Sequence, residues 1–453
     1  MSQTTRRNFL AQAGSTAVAA AAVRSTLAQN SPNDRINVAV VGFHWRGMEQ
    51  IQEYAKLPNV RIAALCDVDE RLFPHAVAEV EKLTGHRPIT EVDLRRLLDR
   101  KDIDAISIAT PDYWHALQTI WACQAGKDVY VEKPISFSVS EGRRMVQAAR
   151  KYNRIVQAGT QYRSDASNRA AIRLLQEGKL GKVYRASTDF SRPRMSIGRQ
   201  KETAVPPGVH WDLYLGPTPM RPFTINRFHY GWHYFWDTGP SELGNIGIHT
   251  LDVCRWGLGK REHPVKVHCT GGKFFHDSDQ ETPNLQIGTF EYADGSLLNF
   301  EVTNLFAPPR NGGMMFYGSD GYLASNDGWK AFRGTMTRRK RPHPAGVDEA
   351  VMDVSFPQMT YTPGPSMDPA AESQASHFAN FIASVRSRKV EDLHADIEEG
   401  HLSTTLAQLA TISQRLGRKL VFDPKTETIT GDAEANRMLT RQYRKPYTLP
   451  DKV

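Results

Sequence analysis

The clearest candidate for chemistry at a ligand is Lys133, whose ammonium group stands immediately before a proline. Residues 128–131 form a short β-prone run, and Pro134 cannot continue a hydrogen-bonded ladder. The run follows a helical stretch at 115–126, so the pattern predicts a strand that ends at the lysine. Because open parallel sheets bind ligands at the carboxyl ends of their strands, we expect Lys133 to face a binding site.

A glycine-containing turn between a strand and a helix is the second candidate. Residues 36–41 form a buried-strand run, and residues 48–56 follow a helical pattern. A turn of this kind directs backbone N–H groups and a helix N-terminus at a phosphate, which suits the pyrophosphate of a dinucleotide. His44 occupies the middle position of the usual Gly-x-Gly-x-x-Gly motif. The turn residues predicted to contact the cofactor are Gly42, His44, Trp45, Arg46 and Gly47.

An acidic residue supports the dinucleotide interpretation. Asp67 ends the next β-prone run, 61–66, about 20 residues after the glycine turn, where a carboxylate can accept both ribose hydroxyls of NAD. The carboxylate favours NAD, whereas Arg71 nearby leaves NADP open. A further run at 105–109 continues the alternation of strands and helices. The pattern therefore predicts an α/β fold with a doubly wound parallel sheet.

Three short motifs surround Lys133: Ala-Thr-Pro-Asp-Tyr-Trp-His at 109–115, Ala-Gly-Lys-Asp-Val at 125–129 and Glu-Lys-Pro at 132–134. Together they resemble the signature of the Gfo/Idh/MocA oxidoreductases, the family of glucose-fructose oxidoreductase and inositol dehydrogenase. The resemblance implies an N-terminal Rossmann domain and a C-terminal α/β domain. The open, largely antiparallel sheet of that second domain would form the floor of a sugar-sized cleft. It also implies a cis bond before Pro134, substrate and cofactor contacts by Lys133, and cofactor contacts by Thr110, Pro111, His115 and Glu132.

A later segment places polar side chains at helical spacing. If it is helical, Asn245, His249, Asp252 and Trp256 share one face, which can line the cleft. The family pattern is Asp-x-Gly-x-His-x-x-Asp, and it implies that His249 is the general acid/base on a substrate hydroxyl. Asn245 replaces the first aspartate, in a form that resembles an exported subgroup. Because an amide cannot accept a proton, any base must be His249, Lys133 or a bound water. The predicted catalytic residues are Lys133, His249 and Asn245.

The stretch 228–237, which precedes that segment, is dense in aromatic rings with polar groups. Such rings suit stacking on a sugar or polyol, and the alternative is an aromatic lid packed on the sheet or at a subunit contact. Residues 161–163 follow a β-prone run, at a place where the family often has cleft-lining residues. The predicted substrate-binding residues are Gln161, Arg163, His233, Trp236, Asn245 and Asp252.

The N-terminus resembles a twin-arginine export signal. Arg6 and Arg7 precede a mildly apolar stretch through Val23, and a small-residue site ends at Ala28. The stretch is too short and too polar to span a membrane, and no cysteine follows the site to accept a lipid anchor. We therefore expect export by the twin-arginine machinery to the periplasm or beyond, cleavage near Ala28, and no stable membrane anchor.

Export and dinucleotide binding together predict a tightly bound cofactor, since free nicotinamide cofactor is scarce outside the cytoplasm. An enzyme that cannot exchange its cofactor must regenerate it in place. The prediction is an NAD(P)-dependent oxidoreductase acting on the CH–OH groups of a sugar, polyol or glycoside. Two alternatives remain. One is a redox-neutral NAD-dependent glycosidase or epimerase with a keto-sugar intermediate, and the other is a non-catalytic sugar-binding protein on the same fold.

Composition excludes several other classes of protein. The chain has 453 residues and a formal net charge of +8, a modest surplus. Its basic cluster at 338–341 is flanked by prolines, and a solvated charge run is favoured there over a nucleic-acid site. The four cysteines lack metal-ligand spacing, so we predict free buried thiols and no metal site.

The predicted order of segments follows from these features. A signal peptide at 1–28 and a linker at 29–35 precede a Rossmann domain at 36–153. A C-terminal domain at 154–453 forms the cleft and ends in a helical region and a tail. Within it, we expect a hairpin around residues 293–295 and an irregular, proline-rich segment at 326–366. An exposed antiparallel sheet face predicts a homodimer or tetramer.

Overall fold

The computed structural model describes residues 35–306, 313–339, 356–450 and 453. The predicted signal peptide at 1–28 and all but the last residue of the predicted linker lie outside the described residues. Two β-sheets organise the described chain, and helices pack on both. This architecture confirms the predicted α/β fold class with two different sheets.

The first sheet is doubly wound and parallel. Its strands are β1 (Ile36–Val41), β2 (Val60–Cys66), β3 (Ile89–Glu91), β4 (Ala105–Ile108), β5 (Asp128–Glu132) and β6 (Val156–Gly159). Within the described residues the order is β3-β2-β1-β4-β5-β6, and every neighbouring pair is parallel. Val38, Ala39 and Val40 are fully buried, as expected for a strand covered on both faces. The strand order reverses between β1 and β4, the kind of point where such sheets bind ligands.

Helices connect the strands of the first sheet. They are α1 (Arg46–Ala55), α2 (Phe73–Thr84), α3 (Leu94–Leu98), α4 (Asp112–Gln124) and α5 (Val139–Lys151). A capping box of Ser138 and Glu141 fixes the start of α5, because each side chain bonds a backbone N–H group of the first turn. The last strand of the sheet ends at Gly159, so the sheet continues past the domain boundary predicted at residue 153.

The second sheet is open and largely antiparallel, as predicted. Its order within the described residues is β14-β13-β12-β11-β7-β10-β9-β8-β15-β16, and β7 and β10 form a parallel pair. These strands are β7 (Val183–Ser191), β8 (Lys266–Gly272), β9 (Leu285–Glu291), β10 (Leu297–Thr303), β11 (Gly313–Gly318), β12 (Gly321–Ala324), β13 (Lys330–Arg339), β14 (Phe356–Pro363), β15 (Leu420–Asp423) and β16 (Thr428–Ile429).

Two local predictions have different outcomes in this sheet. The hairpin around residues 293–295 is confirmed, because β9 and β10 pair antiparallel and Gly295 takes the positive φ of 81° that the turn requires. The expectation of an irregular segment at 326–366 is wrong for its described parts, because β13 pairs with β14. That pair lies at the sheet edge, where backbone hydrogen bonds hold a strand that lacks an apolar run. The start of the basic cluster at 338–341 belongs to β13, and its remainder lies outside the described residues.

The helices of the second half are α6 (Ala166–Gln176), α7 (Trp211–Leu215), α8 (Ile248–Gly257), α9 (His377–Ser387), α10 (Ile397–Leu416) and α11 (Ala433–Arg437). Helices α8 and α10 cover the inner face of the second sheet, where Leu251 and Leu406 join a core that includes Phe316. Helix α9 returns to the first sheet, and the Phe378 ring stacks on Tyr130 with centroids 4.7 Å apart. The two domains therefore share part of their cores, which fixes the cleft between them.

Two further expectations concern the thiols and the membrane. All four cysteines are buried and free, as predicted. No helix among the described residues is both long enough and apolar enough to cross a membrane.

Candidate active site

One cavity of about 570 Å³ lies between the two domains and brings most of the predicted site residues together. Its lining comes from the carboxyl ends of β1, β2, β4 and β5 and from loops and helices of the second domain. Gly47 lies just behind the lining, where a Cβ atom would come within 2.0 Å of the Gly42 carbonyl oxygen. The predicted residues that line the cavity are Gly42, His44, Trp45, Arg46, Asp67, Thr110, Pro111, His115, Glu132, Lys133, Gln161, His233, Asn245 and His249.

The glycine turn has the features of a phosphate cradle. Gly42 has a φ of 77°, and a Cβ atom there would lie 2.8 Å from the Thr110 nitrogen, so glycine is required for the turn to pass this close to β4. Helix α1 begins at Arg46 without a side-chain cap on its first N–H groups. The N–H groups of Met48 and Glu49 donate to the Trp45 carbonyl (3.0 and 3.4 Å), whereas those of Arg46 and Gly47 have no partner among the described residues and are available to an anion at the helix N-terminus. The turn fits the pyrophosphate of a dinucleotide.

Asp67 fits the ribose of the same dinucleotide. Its carboxylate accepts the N–H groups of Phe43 (2.9 Å) and Asp69 (3.0 Å), which hold it at the end of β2. Burial raises the pKa of Asp67 to about 6, and these backbone donors act against the rise. The carboxylate keeps further lone pairs for two ribose hydroxyls.

A segment of the second domain covers the Asp67 end of the cavity. We call residues 206–232 the cover segment. It pairs with the first domain through a bridge between Asp69 and Val209, and His210 donates its N–H to the Val68 carbonyl (2.8 Å). His229 in this segment contacts the Asp69 carboxylate (Nε2 to Oδ2, 3.0 Å). The cover segment therefore packs over the Asp67 end of the cavity.

His44, at the middle glycine position, has a partner in the cover segment. Its ring stacks on His229 with centroids 3.9 Å apart and an interplanar angle of 17°. Burial lowers the pKa of both imidazoles, that of His229 to about 4, so the two stacked rings are neutral at neutral pH. The bulk of His44 is thus accommodated against a second ring.

Lys133 lines the cavity just after the end of β5. Its peptide bond to Pro134 is cis, as the resemblance implied. Burial lowers the pKa of the ammonium group, and Glu132 opposes that shift. Its Nζ donates a hydrogen bond to the backbone carbonyl of Asn245. Lys133 therefore joins the sheet edge of the first domain to the helix entrance of the second.

Glu132 is held by cationic and amide donors. Its Oε1 accepts from Arg46 Nε (2.9 Å), Gln50 Nε2 (3.2 Å) and Gln161 Nε2 (3.1 Å). Burial raises the pKa of Glu132, but Arg46 and Lys133 outweigh it and hold the pKa below its usual value. The carboxylate is thus a fixed negative charge beneath the lysine.

Asn245 and His249 enter the cavity from a π-helical turn, Leu243–Gly247, and from the first turn of α8. Such π-turns are frequent at functional sites. Asn245 Nδ2 donates to Tyr230 Oη (3.1 Å) and Glu242 Oε2 (3.3 Å). An aspartate at 245 would place two carboxylates in contact, which raises the pKa of one of them, so Glu242 gives a physical reason for the amide.

His249 is half-buried and neutral. Burial and, to a smaller extent, the nearby Lys133 ammonium lower its pKa to about 3. Its ring lies 4.9 Å from that of Tyr162, and its Nδ1 has no hydrogen-bond partner among the described residues. A neutral imidazole on the cavity wall can accept a proton from a bound hydroxyl.

Three predicted substrate-binding residues lie outside the cavity lining. Arg163 and Asp252 form a buried ion pair with N–O distances of 2.8 and 2.9 Å, and Arg163 also contacts Glu399 (3.0 Å). The predicted helical face therefore lines the cavity only in part. Asn245 and His249 line it, whereas Asp252 contacts Arg163 outside the lining. Trp236 packs instead under the Arg415 guanidinium, 4.6 Å from its ring centre.

The buried ion pair leads to a stability prediction. Replacing Arg163 with Met removes the two-point partner of buried Asp252 and leaves it with Arg255 (3.7 Å) and the Ser403 hydroxyl (2.6 Å), so the free energy of unfolding should fall by about 3 kcal/mol in urea denaturation. Arg173→Met is the matched control, because Arg173 is half-exposed and Glu372 keeps Arg169 as a partner (3.2 Å), so the loss should not exceed about 1 kcal/mol. An Arg163→Met variant as stable as the control would contradict the structural role.

Several cavity residues are absent from the sequence prediction. Arg192 and Arg194 line the cavity beyond the end of β7, and their alternation after a strand is a signal that sequence reasoning could have used. Tyr230 belongs to the aromatic run but was not singled out. Leu213 and Tyr214 of the cover segment also line the cavity, and their sequence carries no signal of this position.

The prediction of no metal site stays a prediction. Away from the cavity, His263, His401 and Glu427 could together hold a metal ion, with ligand atoms within 4.8 Å of one another. Both histidines contact Glu427 Oε1 (2.9 and 2.8 Å), and Arg143 Nη2 donates to the same oxygen (2.6 Å). The guanidinium already neutralises the carboxylate, so this cluster serves as a joint between α5, α10 and the β15–β16 turn.

The doubly wound sheet, the glycine turn and Asp67 define a dinucleotide-binding protein of the two-domain oxidoreductase class. The chain belongs to the Gfo/Idh/MocA family. Residues 36–160 match the model of the oxidoreductase family's NAD-binding Rossmann fold, and residues 186–305 and 365–449 match that of its C-terminal alpha/beta domain.

Solved structures of similar fold include sugar-linked dehydrogenases. The WlbA dehydrogenase from Bordetella pertussis, in complex with NADH and UDP-GlcNAcA, has a TM-score of 0.61 and 19% identity over 86% of this chain and 99% of its own. Levoglucosan dehydrogenase, in complex with NADH and levoglucosan, has a TM-score of 0.61 and 17% identity over 85% of this chain and 99% of its own. At these identities the likeness shows a shared fold.

One curated relative is named as a glycosyl hydrolase and not as an oxidoreductase. A glycosyl hydrolase family 109 protein 1 from Shewanella sp. (strain ANA-3) is 29% identical over 171 residues. The match covers 32% of this chain and 37% of the relative. The chain therefore matches little more than a third of that relative's length.

Proposed function

We propose that the protein is an exported NAD-dependent oxidoreductase that acts on a CH–OH group of a sugar, polyol or glycoside and keeps its cofactor bound through turnover. One observation carries the proposal. The residues suited to a dinucleotide, Gly42 and Asp67, share a single cavity with Lys133 and His249, which are suited to a reacting hydroxyl. The sugar-linked dehydrogenases of the same fold support the substrate class.

His249, Lys133 and Asn245 each have a separate role in this reaction. A bound nicotinamide supplies the two-electron acceptor for the hydroxyl carbon. His249, neutral because of its lowered pKa, accepts the hydroxyl proton, and Lys133 donates a hydrogen bond to the same oxygen. Asn245 holds Tyr230 and Glu242 in place and can contact the substrate through its amide oxygen.

Retention of the cofactor follows from the cover segment. Its backbone pairs with Val68 and Glu70 directly beside Asp67, and the Tyr214 carbonyl accepts the Tyr113 hydroxyl (2.9 Å). Contacts of this kind over the ribose end would slow the release of a bound dinucleotide, which supports the proposed retention. Turnover then requires reduction of a second substrate, or of the same sugar, in the same cavity.

The preference for NAD over NADP rests on two neighbouring residues. Asp67 presents a carboxylate where NADP would carry its 2′-phosphate. Arg71, which alone would favour NADP, forms a two-point ion pair with Asp69 (2.7 Å for each contact). Because this pair already uses the guanidinium, we assign NAD.

A redox-neutral reaction is the second candidate. In a glycosidase or epimerase, the same residues would oxidise a hydroxyl, allow elimination or inversion next to the resulting ketone, and then reverse the oxidation. The glycosyl hydrolase relative and the covered cofactor site favour this candidate. It differs from the first in releasing a leaving group, or an epimer, without net oxidation.

The cellular site and the assembly are also proposed. The twin-arginine motif of residues 1–28 supports export of the folded protein with its cofactor.

Exposed apolar side chains on the second sheet, including Tyr184, Ile287 and Tyr361, support a dimer or tetramer through this face. Analytical ultracentrifugation at micromolar concentration tests the assembly, and a monomer would contradict it.

Cofactor content and sugar-dependent reduction test the function. Protein purified from the periplasm of an exporting host should release about one nicotinamide per chain on denaturation, and a sugar panel should produce the absorbance of reduced nicotinamide. Aryl glycosides in the same panel separate the two enzyme candidates, since only the redox-neutral enzyme releases the aglycone without net reduction. If the purified protein contains no nucleotide and binds sugars without turning them over, the non-catalytic sugar-binding alternative is favoured.

Asp67 leads to a pH prediction for cofactor binding. The ribose hydroxyls require the ionised carboxylate, and burial raises its pKa to about 6 in the free protein. NAD affinity should therefore fall as the pH drops below 6, by up to about tenfold per pH unit. Fluorescence titration of cofactor-stripped protein between pH 5 and pH 8 measures this.

Asp67→Asn is the variant that assigns the pH effect. It should bind NAD about 10- to 100-fold more weakly at pH 8, because the charge-assisted bonds to the ribose are lost, and it should show a flatter pH dependence than the wild type. An unchanged pH slope in this variant would contradict the assignment of the effect to Asp67.

A further inference from the structure

Arg192 and Arg194 line the part of the cavity formed by Tyr230, Asn245 and His249, which we call the substrate end. The backbone N–H groups of Arg192 and Arg194 donate to the Thr303 and Asn304 carbonyls (3.0 and 2.8 Å), so the chain continues in extended form beyond β7. Alternate residues of an extended chain point to the same side. Both arginines line the cavity, together with Asn245 and other residues of the substrate end.

Arg194 is positioned by its neighbours but keeps free hydrogen-bonding capacity. Its guanidinium lies over the Tyr230 ring, 5.4 Å from the centre, and its Nε is 3.4 Å from Glu242 Oε1. Nε is nevertheless buried and lacks a hydrogen-bond partner among the described residues. Glu242 also accepts from Tyr234 Oη (3.1 Å) and Asn245 Nδ2 (3.3 Å). One carboxylate shared in this way does not satisfy the five donors of the arginine.

Arg192 is exposed, and no acidic side chain of the described residues lies within ion-pair distance of it. Lys133 is a third cation at this end of the cavity. The acidic residues that line the cavity do not pair with these arginines, because each one either pairs with Arg46 or lies at the dinucleotide end. Glu49 and Glu132 pair with Arg46, and Asp67 and Asp93 follow β2 and β3 at the dinucleotide end.

This charge distribution favours an anion. We propose that the substrate is an anionic sugar whose carboxylate, sulfate or phosphate group binds Arg192 and Arg194 while its reacting hydroxyl lies beside Lys133 and His249. Guanidinium groups recognise planar carboxylates and phosphates through paired N–H donors. The inference rests on the proposed function, because it names the class of substrate for the same cavity.

Matched pairs of sugars test the inference directly. Nicotinamide reduction is followed with glucose against glucuronate and glucose 6-phosphate, and with galactose against galacturonate and galactose 6-sulfate. At least one anionic member should have a KM tenfold or more below that of its neutral partner, and raised salt should weaken the difference. The carboxylate, phosphate and sulfate arms identify which anion is preferred.

Variants assign the discrimination to the arginines. Arg192→Gln should raise the KM of the anionic sugar roughly tenfold, with kcat and the neutral sugar little changed, and Arg192→Glu should raise it further. Arg194→Gln should act in the same direction. Arg199→Gln is the matched control, because Arg199 lies on the same segment, pairs with Asp277 and is not part of the cavity lining.

Binding separates this inference from the proposed function. Calorimetry with NADH-loaded protein measures association of the same sugars without turnover. Arg192-dependent binding of an anionic sugar, with no nicotinamide chemistry, would support the anion site and contradict the oxidoreductase. Equal KM or equal binding for each neutral and anionic pair would overturn the inference, and so would the absence of binding by any anionic member.

Discussion

Lys133→Met should abolish nearly all turnover, with single-turnover reduction of the bound nicotinamide falling on the order of 10³-fold. The ammonium is a cationic donor on the cavity wall beside Asn245, and methionine retains the aliphatic length without the charge. Loss of one preorganised donor to a developing oxyanion costs about 10²–10³-fold, and loss of proton-transfer assistance costs a comparable factor. Stopped-flow absorbance after mixing with the preferred sugar measures the rate.

The Lys133→Met variant should still fold and bind NAD. Removing a buried ammonium relieves its desolvation, and Arg46 continues to balance Glu132. Lys127→Met is the matched control, because Lys127 is also largely buried but donates to the Arg100 and Ile103 carbonyls (2.6 and 2.9 Å) away from the cavity. The control should lose stability and keep its rate. A Lys133→Met rate within tenfold of wild type would remove the lysine from the mechanism.

The dinucleotide half of the site was predictable because its signals are local. A buried strand, a glycine turn and a helix follow one another within a few residues of Gly42, and Asp67 ends the next strand. Parallel sheets align the carboxyl ends of their strands, so these residues and Lys133 meet at one edge once the alternation is recognised. The structure places all of them along one cavity.

The substrate half was predictable only in part, because its contacts are distant in sequence. Arg163 and Asp252 have residue types suited to a sugar, but Glu399 on α10 and Ser403 complete their network instead. Helical spacing grouped Asp252 with His249, whereas the ion pair with Arg163 withdraws Asp252 from the cavity. A charged residue's spacing predicts the face it occupies and leaves open whether that face meets solvent or another charge.

The cover segment illustrates a second limit. It lacks the periodicity of a helix or strand over most of its length, and its position depends on single contacts such as that of His229 with Asp69. His44 shows the same dependence, because its fit at a glycine position rests on stacking with His229, a residue of the other domain. Those contacts are tertiary, so a one-dimensional pattern does not contain them.

His249→Gln should reduce the rate of the chemical step by about 10²–10⁴-fold while NAD binding and the melting temperature change little. Glutamine keeps a polar group on the cavity wall but cannot accept a proton at accessible pH, so the loss isolates general-base catalysis. His268→Gln is the control, because His268 is exposed on β8 and should have no effect.

The pH dependence of kcat distinguishes His249 from Lys133 as the base. The imidazole must be neutral to accept the hydroxyl proton, and burial lowers its pKa from 6.5 to about 3. Protonation of His249 therefore occurs only as the pH falls through about 3, so this group should produce no loss of kcat between pH 5 and pH 8. With the cofactor bound, Asp67 is already ionised and does not add a limb to kcat.

An acid limb between pH 5 and pH 8 in the wild type would point instead to Lys133, whose pKa burial also lowers and which can act as a base only after losing its proton. In that case His249→Gln would retain the limb and most of the rate, and the imidazole would serve to orient the hydroxyl.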